Sequence, residues 1–311
     1  MKKILIIGSN GQLGTELLTS LRDKYGSKNV ISSDINDPSN KDAYFEKIDA
    51  REALSLTSIV EKYKINHIYH LAAILSANGE LNPILSWELN MKTLLNVLEL
   101  GRKGIIERIF WPSSIAVFGR DAPKDYTGQN AVTNPSTVYG ISKLAGEKWC
   151  QYYFEKFGVD VRSIRYPGLI SHKAQPGGGT TDYAIDIFFK AISGKSYDCF
   201  LHEDTSLPMM YIDDAVKGAL MLMEAPSQKL SIRTSYNLNA TSFSPAELTA
   251  EIKKHIDGLR VQYKPDYRQL IAETWPRSID DESARSDWGW KEAFGLPQIT
   301  SEMISALRMK K

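Results

Sequence analysis

Short apolar runs alternate with longer helical patterns through the first 170 residues. The runs at 3–7, 29–34, 67–72, 108–111 and 161–165 are four to six residues long and read as strands. Between the first two, Leu13, Leu17, Leu18 and Leu21 recur at helical spacing, and Gly26 offers a stop. Trp87, Met91, Leu94, Leu95 and Leu98 mark a further helix, ended by Gly101 or Gly104. Val138, Ile141, Ala145, Trp149 and Tyr152 mark another, with Pro135 placed near its first turn. Strands alternating with helices predict an α/β fold with a doubly wound parallel sheet, helices covering both faces.

After Pro167 the rhythm changes to irregular, glycine-rich and aromatic-rich sequence, and Gln175-Pro176-Gly177-Gly178-Gly179-Thr180-Thr181-Asp182 is its most distinctive loop. A smaller C-terminal α/β lobe is expected from 169–209 and 229–311, packed on a first unit spanning 1–168. A helix at 213–223, within a stretch of about 210–228, reads as returning to the first unit. No internal repeat or low-complexity linker separates the parts, so close packing is expected.

Length and composition narrow the function classes. A chain of 311 residues has room for two cores or for one large unit with an appended lobe. With 38 basic and 37 acidic side chains, the net charge of +1 gives no sign of a nucleic-acid or membrane surface. Cys150 and Cys199 cannot build a disulfide framework, and five scattered histidines form no metal-ligand spacing. His67 and His70 fall in a strand, where residues three apart point to opposite faces, so no metal is expected there. The start Met1-Lys2-Lys3 followed by Ile4, Leu5, Ile6 and Ile7 is too short for a signal segment, and no apolar run approaches the ~20 residues of a membrane span. The expected location is cytoplasmic, with reduced thiols.

Two constellations carry chemistry. Gly8-Ser9-Asn10-Gly11-Gln12-Leu13-Gly14 follows the first strand and opens the first helix. Glycines there permit a tight turn and close approach of backbone to a pyrophosphate, which the helix N-terminus attracts. Asp34 ends the second strand 20 residues beyond Gly14, where a carboxylate accepts from adenosine ribose hydroxyls and repels a 2′-phosphate. NAD is therefore expected over NADP. Asp49 before Ala50 is placed for the adenine edge, and Leu71-Ala72-Ala73 offers small residues at a strand end. The second constellation is Tyr139 and Lys143, one helical turn apart, with Ser114 25 residues upstream. A cation beside a phenol lowers its pKa from ~10 towards the range a general base needs.

Together these residues resemble the extended branch of the short-chain dehydrogenase/reductase superfamily, whose first domain is of the Rossmann type. Within that branch the chain looks like the NAD-dependent L-threonine 3-dehydrogenases, which are related to nucleotide-sugar epimerases. The resemblance runs through the glycine loop, Trp111 to Gly119, Pro135 to Lys143, Arg165 to Ile170, the Pro176 to Tyr183 loop, Met209 to Ala215 and Trp275 to Asp280. It implies Tyr139 as general base, Lys143 as its electrostatic partner and Ser114, rather than Ser113, as the serine that positions the substrate oxygen. The implied cofactor contacts are Gly8, Asn10, Gly11, Gln12, Leu13, Gly14, Asp34, Ile35, Asp49, Ala50, Leu71, Ala72, Ala73, Asn90, Tyr139, Lys143, Tyr166, Pro167 and Leu169. Asn90 matches a structural asparagine near the active-site helix.

The implied substrate, L-threonine, is small and zwitterionic, so its site needs only a few polar groups. Ser76, Ser114, Tyr139, Gly178, Thr180, Thr181 and Asp182 are the candidates, with Asp182 for the ammonium and Trp275 against the methyl. The loop's three glycines would suit a lid. Pro167-Gly168 departs from nucleotide-sugar epimerases, which usually have an asparagine there. A 4-epimerase or dehydratase that recycles bound NAD is the alternative, with Arg233, Arg260 and Arg277 as candidates for a sugar-nucleotide pyrophosphate. A catalytically dead nucleotide-sensing protein would be expected to lose one of the trio. The resemblance also implies a homodimer through helices near 87–100 and 136–157, where Trp149, Tyr152, Tyr153 and Phe154 would form an apolar patch.

Overall fold

The structure is a computed structural model and describes residues 2–173 and 177–309. Gln175 and Pro176 of the glycine-rich loop lie outside the described residues. The chain runs β1 (Ile4–Ile7), α1 (Gln12–Tyr25), β2 (Val30–Asp34), β3 (Phe45–Lys47), α2 (Ala53–Tyr63), β4 (His67–His70), α3 (Ser76–Leu81), α4 (Pro83–Arg102), β5 (Arg108–Ser114), α5 (Val138–Phe157) and β6 (Val161–Tyr166). It continues through β7 (Gly168–Ile170), α6 (Tyr183–Ile192), β8 (Tyr197–Cys199), β9 (Leu207–Tyr211), α7 (Ile212–Glu224), β10 (Tyr236–Asn237), β11 (Thr241–Phe243), α8 (Pro245–Lys253), β12 (Val261–Tyr263), α9 (Tyr267–Ala272), α10 (Glu282–Trp288) and α11 (Leu296–Met309).

Alternation along β1 explains the layers. Ile4 and Ile6 pack with Leu13, Leu17 and Leu21 of α1, while Leu5 and Ile7 face Leu56 and Val60 of α2 and Leu94 and Leu98 of α4. Each such fully buried aliphatic side chain adds about 1.5–3 kcal/mol. The result is a seven-stranded sheet in the order β10-β6-β5-β4-β1-β2-β3, parallel at every pairing. The chain winds outward one way from β1 and the other way from β4. Between these neighbours, at their carboxyl ends, lies the crevice where doubly wound folds take ligands. Ile7 and His70 are the last paired residues there.

Two elements depart from the expected pattern. β5 runs past Trp111 to Ser114, through Pro112. Its pairing with β4 stops at Phe110, so beyond that point it is paired only with β6 and a residue without an N–H is tolerated. β10, from the tail expected to build the second lobe, instead extends the main sheet beside β6. The remaining strands form β11-β9-β7 and β12-β8 sheets, with α6, α8 and α11 packed together over them. α7 lies against α1. One continuous core runs from Ile4 and Phe110 to Tyr183, Phe188 and Trp290, so the two parts are packed through apolar side chains. Among the described residues no helix is long and apolar enough to cross a membrane.

Candidate active site

The glycine loop turns sharply at Gly8, whose φ of 85° suits glycine. A Cβ on Gly14 would lie 2.3 Å from the Gly8 carbonyl oxygen, so the first turn of α1 can close on the loop only without one. Asp34 ties this loop to β2: its Oδ2 accepts from Asn10 N–H at 3.1 Å and its Oδ1 from Asn36 N–H at 3.1 Å. Gly8, Gly11, Asp34, Ile35, Asp49, Ala50, Leu71, Ala72 and Ala73 line one cavity. It meets a second cavity at Gly8, Gly11, Leu71 and Ala73, which continues past Gln12, Leu13, Gly14, Tyr166, Pro167 and Leu169 to Ser114, Tyr139 and Lys143. A narrow crevice with a glycine cradle at its middle and a carboxylate at one end fits a dinucleotide.

The catalytic trio is assembled by two short turns. Ser114 ends β5 and caps the turn Ile115–Val117, its Oγ accepting from Ala116 N–H at 3.2 Å. Thr137 caps α5, its Oγ1 accepting from Gly140 N–H at 3.1 Å. A Cβ on Gly140 would lie 2.3 Å from the Ala116 carbonyl oxygen, so the start of α5 rests directly on the turn after Ser114. That contact brings Tyr139 and Ser114 to the same cavity. Lys143 is buried; its Nζ donates to the Pro112 carbonyl at 2.6 Å and lies 4.6 Å from the centre of the Trp111 ring and 5.5 Å from that of Tyr139.

The electrostatics correct one expectation. Burial pushes the Tyr139 phenol up to about 12, against the opposing pull of the nearby Ser114 hydroxyl. Lowering by Lys143 does not prevail, because burial disfavours a charge on either group and brings Lys143 down to about 7. Behind the pair, Glu147 accepts from Ser113 Oγ at 2.6 Å and from Arg165 Nε and Nη2 at 2.8 and 2.7 Å. This buried bidentate ion pair locks α5 to β5 and β6.

In the lining of the same cavity, Ser76 Oγ and Thr180 Oγ1 lie 3.1 Å apart, and Thr180 N–H donates to Ser76 Oγ at 3.3 Å. Asp182 Oδ2 accepts from Gly178 and Gly179 N–H at 2.9 and 2.7 Å. Burial raises its pKa, and the two N–H groups oppose that rise. Ser76, Thr180, Thr181, Asp182 and the buried Trp275 all line the catalytic cavity. Gly178 shapes the loop beside Asn78, whose Nδ2 donates to the Gly177 carbonyl at 3.0 Å.

Several assigned residues do other work. Asn90 lines neither cavity; it braces α4 against the end of β4, its Oδ1 accepting from Ile74 N–H at 2.8 Å and its Nδ2 donating to Ile74 O and Ser142 Oγ. Both oxygens of Asp49 are held by Arg51, at 3.0 and 2.6 Å, so its carboxylate is already committed at the cavity wall. Tyr166 lines the cavity while its hydroxyl donates to Ala215 O at 2.7 Å. His67 and His70 turn to different partners, Asn66 Oδ1 and Thr93 Oγ1. Among the described residues no group of His, Cys, Asp or Glu is placed to hold a metal ion. Leu75, Pro112, Gly168 and Gly179 also line the catalytic cavity. Gly179 belongs to the glycine-rich loop and Pro112 to the Trp111 to Gly119 stretch, whereas nothing in the sequence marked Leu75.

Comparison with known proteins follows the same line. A model of the NAD dependent epimerase/dehydratase family matches residues 4–238. An uncharacterised epimerase/dehydratase of Staphylococcus haemolyticus is 45% identical over 100% of this chain and 99% of its own. The holo form of an L-threonine dehydrogenase from Cupriavidus necator is 53% identical with a TM-score of 0.96, covering 98% of this chain and 99% of its own. A monomeric L-threonine 3-dehydrogenase from a metagenome, in its apo form, is 50% identical with a TM-score of 0.96, over 99% of this chain and 100% of its own.

Proposed function

The chain belongs to the NAD dependent epimerase/dehydratase family, and we propose that within it the protein oxidises the β-hydroxyl of L-threonine to 2-amino-3-oxobutyrate, a step of threonine breakdown towards glycine in the cytoplasm. It is an NAD-dependent dehydrogenase, with L-threonine 3-dehydrogenases as structural neighbours at 43–53% identity. The observation that carries the substrate reading is that Ser114 and Tyr139 line one cavity together with Ser76, Thr180, Asp182 and Trp275.

Gly8, Gly11, Gly14 and the N-terminus of α1 would hold the pyrophosphate of NAD, Asp34 the adenosine ribose and Lys143 the nicotinamide ribose. Bound NAD supplies the acceptor for the hydride that leaves Cβ of threonine. Tyr139, as phenolate, removes the hydroxyl proton while the C–O bond becomes a carbonyl. Ser114 holds the substrate oxygen beside Tyr139, a positioning role in which small displacements are costly. Lys143 stays fixed on the Pro112 carbonyl and favours negative charge on the phenol. Both loop N–H groups go to Asp182 Oδ2, which leaves Oδ1 to meet the substrate ammonium. Trp275 walls the threonine methyl.

Tyr139→Phe should lower NADH formation by at least about a hundredfold, the lower range for a lost acid/base group. Its melting temperature and NAD binding should stay near wild type. Wild-type turnover in Tyr139→Phe would remove the tyrosine from this role.

The epimerase alternative loses support from the arginines it would need. The Arg233 guanidinium lies 3.9 Å from the centre of the Phe154 ring and donates to Ser227, while Arg277 pairs with Asp125 at the surface. Neither these nor Arg260 line the catalytic cavity.

A further inference from the structure

The Trp275 wall is held in place by a residue from a segment remote in sequence. Lys124 sits in the segment that joins Ser114 to Tyr139. Its Nζ donates to the Glu273 carbonyl at 2.8 Å and to the Trp275 carbonyl at 3.2 Å, so the ammonium straddles Thr274. The Lys124 carbonyl in turn accepts from Arg277 N–H at 2.6 Å and Ser278 N–H at 3.2 Å. One residue therefore grips the backbone on both sides of Trp275.

The surrounding contacts continue the strap without touching Trp275. Tyr126 N–H donates to Ser278 Oγ at 2.7 Å, and Thr127 forms a bridge with Ile279. Tyr126 has a φ of 49°, a left-handed conformation that persists in a non-glycine residue when its neighbours enforce it. Arg277 and Asp125 pair at the exposed edge. Lys124 is half-buried, and desolvation lowers its pKa, as expected of an ammonium spent on carbonyls rather than on water.

We propose that Lys124 is a positioning residue that sets substrate specificity through Trp275. By clamping the Glu273 and Trp275 carbonyls it fixes the distance between the indole and the substrate's β-methyl group. It also ties that wall to the segment bounded by Ser114 and Tyr139, so that methyl recognition and proton removal share one geometry. This rests on the reading of L-threonine as substrate.

The test measures kcat and KM for L-threonine and L-serine, and KM for NAD, in wild type, Lys124→Met, Lys124→Arg and Arg277→Gln. One methyl in an apolar pocket discriminates roughly 10–200-fold, and a loosened wall forfeits part of that. Lys124→Met should raise the threonine KM and lower the threonine-to-serine ratio of kcat/KM by about tenfold, leaving the KM for NAD unchanged. Lys124→Arg, which keeps a charged donor, should restore most of the ratio, and Arg277→Gln should retain it. If Lys124→Met is insoluble, Lys124→Gln, too short to reach both carbonyls, takes its place. An unchanged ratio in that variant, or an equal fall in Arg277→Gln, overturns the clamp while the threonine reading stands. A wild-type protein that makes no NADH from L-threonine overturns both.

Discussion

At Tyr139 and Lys143 a half-buried phenol and a buried ammonium each resist carrying charge, the phenol rising to about 12 and the ammonium falling to about 7. A phenolate and an ammonium formed side by side offset one another, so catalysis depends on how closely the turn at Ser114 and the helix bearing this pair are held. Gly140 sets that spacing, because its missing Cβ lets α5 touch the Ala116 carbonyl. Gly140→Ala should therefore push Tyr139 away from Ser114 and cost roughly a hundredfold in kcat, the scale of a 1 Å misplacement, while binding of NAD is retained. A kcat within a factor of two of wild type would show that the contact does not set the geometry. Gly8, Asp34, Ser114, Tyr139 and Lys143 were legible in the sequence because each is fixed by short-range spacing around a strand end or a helix turn. Lys124 and Trp275 were not legible as a pair, since their contact spans 151 positions and joins side chain to backbone.

At the scale of the element, β4 carries two histidines into the core. Burial, reinforced for His70 by nearby Lys143, brings His70 down to about 3, and burial brings His67 down to about 4. Both lie below the ordinary value of ~6.5, so between those values the unfolded chain binds more protons than the folded one. Stability is thus fully present above pH ~6.5 and is lost as pH falls through about 4 towards about 3. The loss should amount to a few kcal/mol and begin above the carboxylate range. Urea unfolding of wild type and His70→Asn between pH 7 and 5 checks this: the wild type should lose stability more steeply, and parallel curves would contradict it. The strand itself was legible from its apolar run, as was Ser114 at the end of the β5 run, whereas the paired course of β5 through Pro112 was not. Only the end of pairing with β4 makes that proline acceptable.

Across the whole molecule, the surface of α4 and α5 bears on assembly. Trp149 and Tyr152 are exposed as expected, but Tyr153 is buried with its hydroxyl on Glu99, and Phe154 lies beneath Arg233. Exposed Leu85, Trp87, Ile141 and Phe157 supply apolar area on the same two helices. We propose a homodimer through this face, to be checked by sedimentation: wild type should sediment as a dimer and Trp149→Glu as a monomer. A wild-type monomer at all concentrations would contradict it and would match the metagenome protein described as monomeric. The alternation of strands and helices made the main sheet legible from sequence. The two-residue strand β10 was not, because so short a segment has no periodicity to read.

The central claim is the reaction, and the most direct measurement is NADH absorbance after mixing the protein with NAD+ and L-threonine, run beside NADP+, L-serine, L-allo-threonine and a nucleotide-sugar substrate. NADH accumulating with NAD+ and L-threonine, far faster than in any other combination, is the expected result. No net NADH with any amino acid, together with conversion of the nucleotide sugar, would contradict it and assign the chain to an enzyme that returns its hydride.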